Sequence, residues 1–464
     1  MTSLNRRQLL RAAGVAATGG LVGCASDATD ATRTDSNSST DGTDGGTTAP
    51  GTSGTGTVST TDRTASGTEA PTDTPTATAT PSREEVRTDY RPRERYRAPG
   101  EAFLPLDDPG AWRTVTGTAT AADRSFSGSG SVKLVGPGGS NVAVEQSLAP
   151  TDLSERDLSL AVRTTTPLQI AVVVKLIDSY GNWAALELRQ LSYQPPDVDW
   201  FRTCPGVFAT SEAVPDLSDV QRIRLAVLNG GSSDAEVWVD DMRAHTKPDQ
   251  GYVVLSWDDG RRDYYETAAP LQDERDLPAV TTMPPTVDHV GRDPFMSAEQ
   301  FRERSEAGDE VVAHGTTGHT FDSVSAERLD EMLERRKRWL LANGFDGSDF
   351  VVYPGNDFDA TSLEVTGRYF LMGGMNQSGN VNTTGVNGFD PLVLPRTIGH
   401  DLEISKTVVD RAATHRNCGI LNFHHFDTDN TMTVDEYEQL LDHIADTDGV
   451  EAITFSELWS MRTD

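Results

Sequence analysis

Apolar and polar residues alternate in two different ways along this chain. From about residue 250 onward, short apolar runs alternate with stretches of helical spacing; the runs are Tyr252–Leu255, Glu310–Ala313, Phe350–Val352 and Gly419–Phe423. Apolar residues repeat at helical intervals over 325–343, which predicts a helix that Gly344 ends. Two further helix starts are predicted by capping pairs, Ser297 with Gln300 and Thr433 with Glu436. Strand, helix, strand repetition predicts parallel pairing.

The preceding region, residues 96–247, has many short alternating runs separated by turn residues. They include Ser131–Val135, Leu158–Val162, Ile170–Val174, Ile223–Val227 and Glu236–Asp240. No long helical period competes, so the pattern predicts a β-sandwich of the jelly-roll kind. The string Trp238–Met242 resembles the final strand of carbohydrate-binding or galactose-binding-like jelly rolls. That likeness implies either sugar binding by aromatic residues such as Trp183 or Trp200, or a purely structural spacer.

Polar residues capable of chemistry follow the apolar runs of the second region. Asp258 and Asp259 follow the first run, His314 ends the second with His319 five residues later, and His424 with His425 follow the last. Two adjacent carboxylates at the end of a buried strand are unfavourable unless a cation or proton takes up their charge, although Asp-Asp-Gly is also common in turns. One Asp and two His suit zinc or another divalent ion with open positions.

These motifs resemble, in their order along the chain, those of the polysaccharide deacetylases of carbohydrate esterase family 4. The matching segments are Ser256–Gly260, the pair His314 and His319, Tyr353–Gly355 and His424. The resemblance covers roughly residues 250–464. It implies a distorted (β/α) barrel of about seven strands, with the active site on the rim where the C-terminal strand ends meet.

The resemblance also implies a role for each residue. Asp258 would be the general base, His424 the general acid and the backbone N–H of Gly355 an oxyanion donor. The metal ligands would be Asp259, His314 and His319. Zn²⁺ is the expected ion, with Co²⁺ or Ni²⁺ as alternatives, because first-row divalent ions all suit such ligands.

The spacing of the histidines departs from the family pattern. The family usually places them four residues apart, whereas His314 and His319 are five apart. Five residues turn a regular helix by about 500°, which would leave the two side chains about 140° apart. The pair therefore needs a loop or bulge, which Gly315 and Gly318 permit.

A second departure is a missing arginine. Family members commonly carry Arg two residues before the proline of the third motif, where it orients the catalytic Asp, but Val352 stands there in this chain. Arg396, which follows Leu394 and Pro395 at the end of another apolar run, is the candidate replacement. A surface position for Arg396 is the alternative.

Several other residues fit either a functional or a structural role. Trp257 and Tyr353 could line a sugar-binding floor or pack in the core. Of the neighbours His424 and His425 only one can face the site, and the family position favours His424. Isolated histidines are more often surface or satisfied residues than ligands; they are His400, His415 and His443.

The beginning of the sequence predicts export and anchoring. Arg6 and Arg7 precede a short apolar stretch that matches a twin-arginine signal, and the segment ending at Cys24 resembles a lipobox. Residues 1–24 are therefore interpreted as a lipoprotein signal, with lipid attached to Cys24 at the outer face of the membrane. No segment reaches the length of a membrane-spanning helix. Residues 25–95, rich in Thr, Ser, Asp and Gly, predict a disordered linker.

Charge and cysteine content narrow the choice of partners. A formal net charge of −31 argues against nucleic acid binding, because phosphates would be repelled. Abundant Asp indicates a halophilic archaeal origin, with calcium binding by an acidic patch as the competing explanation. Three cysteines exclude a disulfide framework. If Cys24 carries lipid, Cys204 and Cys418 could pair, but Cys418 is expected to pack as a small apolar residue.

These patterns predict four segments: a signal over 1–24, a linker over 25–95, a β-sandwich over 96–247 and a deacetylase-like barrel over 248–464. The predicted function is metal-dependent removal of acetyl groups from an extracellular polysaccharide or glycan. The alternatives are a catalytically weakened glycan-binding surface lipoprotein and a calcium-binding structural protein of the envelope.

Overall fold

The computed structural model describes residues 86–87, 100–189, 191, 193–194, 199–315, 319–376, 381–426 and 431–462. The predicted signal, with Cys24, and the predicted linker lie outside the described residues, apart from 86–87. Within the described ranges, no helix is long and apolar enough to cross a membrane.

The first region is built from β-strands, as the alternating runs predict. The strands described there are β1 Glu101–Leu104, β2 Arg113–Thr116, β3 Thr118–Ala122, β4 Ser131–Gly136, β5 Val142–Thr151, β6 Arg156–Thr164, β7 Ile170–Asp178, β8 Trp183–Arg189, β9 Phe201–Thr203, β10 Val207–Thr210, β11 Val220–Asn229 and β12 Ala235–Thr246. All five runs predicted as strands lie in this set. We call residues 100–246 the β-domain.

The strands of the β-domain form two antiparallel sheets. One has the order β3-β4-β12-β6-β9 with β1 also paired to β12, and the other has the order β10-β8-β7-β11-β5-β2. Leu160 and Val237 of the first sheet belong to the same hydrophobic cluster as Val172 and Leu225 of the second. The assignment to a jelly-roll sandwich stays a prediction.

The second region contains β-strands separated by helices, as its strand and helix alternation predicts. The strands described there are β13 Gly251–Trp257, β14 Val280–Thr282, β15 Glu310–His314, β16 Phe350–Val352, β17 Met372–Asn376, β18 Thr383–Thr384, β19 Leu394–Ile398, β20 Cys418–Phe423 and β21 Val450–Ala452. Seven of them, β13 to β17 with β19 and β20, form a ring of parallel pairs that the β20–β13 pairing closes; β21 pairs in parallel with β13 outside the ring, and β18 pairs antiparallel with β20. This closed seven-stranded parallel barrel fits the predicted (β/α) barrel. We call it the barrel domain.

Helices connect the barrel strands. They are α1 Ala269–Asp273, α2 Ala298–Glu306, α3 Ala326–Asn343, α4 Ala360–Thr366, α5 Leu402–His415, α6 Val434–Asp446 and α7 Phe455–Met461. Helix α3 matches the predicted span, and Gly344 ends it with φ 74°. Both predicted capping boxes form, at Ser297 before α2 and at Thr433 before α6. The predicted boundary after residue 247 falls in the connection between β12 and β13.

The two domains belong to one compact unit and are joined by backbone hydrogen bonds. The carbonyl of Cys204 accepts from Gly385 N–H at 2.9 Å, and Gly206 N–H donates to the Thr383 carbonyl at 2.8 Å. Cys204 and Cys418 are both buried free thiols, so the packing interpretation of Cys418 is confirmed.

Candidate active site

Alternate residues of the barrel strands point to opposite sides. This two-residue period puts the polar residues on the same side of their strands as the inward-facing apolar residues. Val254, Val312, Leu394 and Ile420, at even-numbered positions, belong to one buried cluster, whereas their apolar odd-numbered neighbours Val253, Leu255, Val311, Ala313, Val393 and Leu421 belong to another. The next even-numbered positions toward the C-terminal rim are polar: Ser256, Asp258, His314, Arg396, Asn422 and His424. One period thus supplies both the apolar interior of the barrel and the polar groups at its mouth.

Asp258 and Arg396 form a fully buried ion pair. Nη1 of Arg396 donates to Oδ1 of Asp258, and Nη2 donates to Oδ2, both at 3.0 Å. The Asp258 side chain is 3% exposed and that of Arg396 0%. Nη1 also donates to Ser256 Oγ at 3.1 Å. Two parallel hydrogen bonds fix the plane of the carboxylate, and the role of Arg396 as replacement for the missing family arginine stays a prediction.

The charge of Arg396 also sets the protonation of Asp258. Burial by itself would raise the pKa of this carboxyl. The positive charge of Arg396, with contributions from His314 and His424, more than offsets burial and holds the pKa of Asp258 below its usual range. Asp258 is therefore ionised at neutral pH.

Asp259 and His314 face each other beside this pair. His314 Nε2 lies 3.3 Å from Asp259 Oδ1, and His314 is buried at the end of β15. Burial opposes ionisation of Asp259, but the hydrogen bond with His314 and the charge of that imidazole lower the pKa of Asp259 to about 2. Burial would lower the pKa of His314, yet its hydrogen bond with Asp259 and the two carboxylate charges raise it.

The Asp259–His314 pair fits a divalent metal. His314 Nδ1 lies 3.1 Å from the Val352 carbonyl, which can only accept, so Nδ1 carries a proton and Nε2 is the ring atom that faces Asp259. Metal-binding histidines are commonly oriented in this way by a carbonyl. His319 is exposed, and the residues that the structure describes contain no cluster of three or more His, Cys, Asp or Glu groups arranged around one ion. The third ligand at His319 stays a prediction.

His424 lies on the other side of Asp258. Its Nε2 is 3.9 Å from Asp258 Oδ2, and its side chain is 30% exposed. Burial lowers the pKa of His424 and outweighs the opposing carboxylates. The ring of His400 lies edge-on to that of His424, with centroids 5.7 Å apart. His400 thus lies beside His424, and its interpretation as a surface or satisfied residue rather than a ligand stays a prediction.

Gly355 lies in a tight turn after β16. Its φ is 58° and it is exposed. Gly315, just after His314, packs against this turn: a Cβ built on Gly315 would lie 2.1 Å from Pro354 Cγ. The close approach joins the loop after β15 to the loop that carries the predicted oxyanion donor.

Two supporting residues were not predicted from the sequence. Arg336 on α3 is buried, and its guanidinium donates to the carbonyls of His314, Gly315 and Pro285. Asn356 accepts a hydrogen bond from Arg396 Nη2 at 3.0 Å through its side chain. A signal existed for Arg336, because a cation on the buried face of a predicted helix requires partners.

The aromatic residues of the motifs pack rather than line a surface. Trp257 is 1% exposed and contacts the rings of Tyr264, Phe423, Phe426 and Tyr437. Tyr353 is also 1% exposed. In the β-domain, Lys175 Nζ lies 3.7 Å from the centre of the Trp183 ring, and Trp200 packs edge-on to Phe126.

Comparisons with known proteins agree with this arrangement. The model of the polysaccharide deacetylase family matches residues 245–371. Similar solved structures include a deacetylase from Streptococcus pyogenes in complex with acetate, with 20% identity and a TM-score of 0.28 over 31% of this chain and 63% of that one. A family 4 carbohydrate esterase from Streptomyces lividans in complex with acetate has 15% identity and a TM-score of 0.32 over 44% and 92%. No curated protein sequence matches the chain.

A family 4 acetyl xylan esterase from Clostridium thermocellum in complex with a cobalt ion has 16% identity and a TM-score of 0.34 over 45% of this chain and 91% of that chain. All three TM-scores lie below 0.5, so the assignment rests on the family match. Residues 245–371 match the model of the polysaccharide deacetylase family, and this match supports a deacetylase-type hydrolase domain in the second part of the chain.

Proposed function

We propose that this protein removes acetyl groups from an extracellular polysaccharide or glycan in a metal-dependent reaction. The observation that carries the proposal is the buried Asp258–Arg396 pair, which lies beside Asp259 and His314 at the mouth of the barrel. The family match includes Asp258, Asp259 and His314. An ionised carboxylate held rigidly next to a candidate metal pair suits activation of water for attack on an acyl carbon.

Each residue has a defined part in this proposal. Asp258 accepts the proton of the attacking water, and the backbone N–H of Gly355 donates to the oxygen that becomes negative as the tetrahedral intermediate forms. The carbon–nitrogen or carbon–oxygen bond of the acetyl group then breaks. His424 donates a proton to the departing amine or alkoxide, and acetate is the second product.

The proposed metal ligands are Asp259, His314 and His319, with Zn²⁺ as the expected ion. A bound divalent ion supplies Lewis acidity at the acyl carbonyl and makes water more acidic. The chain's own contribution is to present the Asp259 carboxylate and the His314 Nε2 lone pair to one point, with His314 held by the Val352 carbonyl.

Release of acetate tests the proposal. The protein is incubated with divalent metal and a panel of acetylated glycans, some carrying N-acetyl groups and some O-acetyl groups, and acetate is quantified. We expect release from at least one substrate, and a fall of about 10²- to 10⁴-fold in His424→Ala. His443→Ala, which changes a histidine paired with Asp410 on the outside of α6, is the matched control.

The competing function is glycan binding by a catalytically weakened member. The exposed position of His319 and the absence of a described three-ligand cluster favour it. A metal content near zero together with retained glycan binding and no acetate release would select this alternative over the enzyme.

The setting of the domain is also proposed from the sequence. We propose export through the twin-arginine signal, anchoring by lipid on Cys24, and a halophilic archaeal source. The two sheets of the β-domain support the finer proposal of a jelly-roll sandwich. Mass spectrometry of the cell-surface protein would show a lipid-modified Cys24 at its N-terminus, and an unmodified or uncleaved leader would contradict the anchor.

A further inference from the structure

Arg396 holds Asp258 through a guanidinium that has two more side-chain partners, Asn356 and Ser256. Nη2 donates both to Asp258 Oδ2 and to Asn356 Oδ1, each at 3.0 Å, while Nη1 donates to Asp258 Oδ1 and Ser256 Oγ. The side chain of Arg396 is fully buried, so no bulk water replaces a lost partner. Asn356 therefore fixes how the guanidinium is presented to the carboxylate.

The backbone of Asn356 is held in an unfavourable conformation. Its φ is 66°, and Gly355 before it has φ 58°. A left-handed backbone is disfavoured for a residue with a Cβ, although Asn tolerates it better than most. Two such residues in succession require neighbouring contacts that hold the turn.

Those contacts come from the β-domain. Phe358, two residues after Asn356, is fully buried, and its carbonyl accepts from the backbone N–H of Gln194 at 2.8 Å. Its ring packs against the ring of Tyr193 with centroids 4.9 Å apart, and Tyr193 and Phe358 form an isolated parallel bridge. The same ring lies 5.7 Å from that of Tyr353, at the start of the turn.

The β-domain also contacts the segment that leads into the strand of Arg396. The Arg202 carbonyl accepts from Asp390 N–H at 2.9 Å, and Pro205 forms an antiparallel bridge with Thr384. Asn382 donates from its side chain to the Arg396 carbonyl at 3.3 Å. The turn that carries Asn356 and the segment that leads to Arg396 are thus both hydrogen-bonded to the β-domain.

We propose that Asn356 is a positioning residue for the Asp258–Arg396 pair and that Tyr193 and Gln194 of the β-domain hold the turn that presents it. The β-domain is then a structural part of the active site rather than a spacer or an independent binding module. The activity measurements that test this inference rest on the proposed deacetylase function. The hydrogen–deuterium exchange measurement rests on the backbone contacts alone.

Asn356→Gly tests the first part. Glycine accepts the left-handed backbone and removes only the side-chain contact with Arg396. We expect kcat to fall about 10- to 100-fold, as for loss of a hydrogen bond to a charged group. KM stays within about twofold because Asn356 acts through Arg396. Thermal stability stays near that of the wild type, and Asn356→Asp, which keeps an acceptor oxygen, restores most of kcat. Wild-type kcat in Asn356→Gly overturns the assignment.

Gln194→Pro tests the second part, because it removes the N–H donor to Phe358, and Gln194→Ala, which keeps that N–H, is the matched control. Hydrogen–deuterium exchange of the full chain is followed over 353–359. We expect faster exchange there in Gln194→Pro than in Gln194→Ala, together with a lower kcat. Equal exchange in both variants overturns the link. If the wild type releases no acetate, the proposed function fails separately, and the exchange comparison still tests the link.

Discussion

At the scale of single residues, the site depends on a few buried charges that neutralise one another. Burial disfavours the charge of Asp258, but the positive charge of Arg396, with contributions from His314 and His424, offsets burial and holds the pKa of Asp258 below its usual range. A buried pair of this kind is weak evidence for net stability, but removing one partner leaves an uncompensated buried charge.

Arg396→Met should therefore destabilise the protein strongly. We expect the free energy of unfolding to fall by about 3–5 kcal/mol, because the buried Asp258 then keeps an uncompensated charge or must take up a proton. The double variant Asp258→Asn with Arg396→Met should lose less than the single variant. Denaturant unfolding measures both, and a single variant as stable as the wild type would show that the pair is not buried as described.

The candidate metal ligands give a second prediction at this scale. Mass spectrometry of the purified protein should find about one transition-metal ion per chain after equilibration with divalent ions, as for a site with open positions. Asp259→Ala and His319→Ala should lose it, while His443→Ala should keep it. Metal retained in His319→Ala would remove that residue from the ligand set.

The period-2 pattern explains which site residues the sequence could predict. Asp258, His314 and His424 lie in step with the inward-facing apolar residues of their strands, and so does Arg396, two residues after Leu394. Asn356 could not be predicted, because its contact with Arg396 depends on a turn whose left-handed backbone has no periodic signal. His319 follows residues outside the described ranges, and its role stays a prediction.

At the scale of elements, the loops at the C-terminal rim pack tightly against each other. Buried polar groups also form hydrogen bonds between helices and the strands or loops beside them. Gly315 allows the loop after β15 to touch Pro354, and Arg336 of α3 binds the carbonyls of that loop. Glu310 at the start of β15 accepts hydrogen bonds from Phe455 N–H and Ser456 N–H at the start of α7. These contacts fix the relative positions of the elements that carry the site.

Gly315→Ala should disturb the rim. The added Cβ would lie within 2.3 Å of three atoms of the Pro354 ring, so the two loops must separate. We expect a loss of about 1–3 kcal/mol in stability, as for overpacking, and a lower rate of acetate release. Gly367→Ala, whose nearest neighbours lie at 3.3 Å, is the control and should change little. Wild-type activity in Gly315→Ala would contradict the packing account.

Glu310 predicts a pH dependence of stability. Burial raises the pKa of Glu310 to about 7 from an ordinary value of 4.5, despite its hydrogen bonds with Ser456 and Phe455. The folded protein thus binds more protons than the unfolded chain between about pH 4.5 and 7, and stability falls as the pH rises through that window. Glu310→Gln should lack this part of the dependence. Parallel stability curves for wild type and variant would contradict the raised pKa.

At the scale of the whole molecule, the β-domain and the barrel form one body rather than a catalytic domain with a tether-like neighbour. The sequence predicted the barrel from its strand and helix alternation, while the β-sandwich and the boundary after residue 247 stay predictions. It did not predict the hydrogen bonds between Gln194 and Phe358 or between Cys204 and Gly385, since contacts between distant loops leave no local pattern.

The net charge of −31 acts at this scale as well. That this charge disfavours nucleic acid partners stays a prediction, and net charge does not determine the chemistry of the barrel. The site instead contains cations and imidazoles that neutralise its carboxylates, which is why the acidic composition and an ionised, buried Asp258 are compatible.

The most direct test of the account is acetate release by Asp258→Asn beside the wild type, on a substrate that the wild type deacetylates. The amide keeps the shape of the side chain, and circular dichroism with metal analysis checks that the fold and metal content are unchanged. We predict that kcat falls by about 10²- to 10⁴-fold, as expected when a general base is removed. Acetate release at the wild-type rate would contradict the assignment of Asp258 as the base and with it the proposed mechanism.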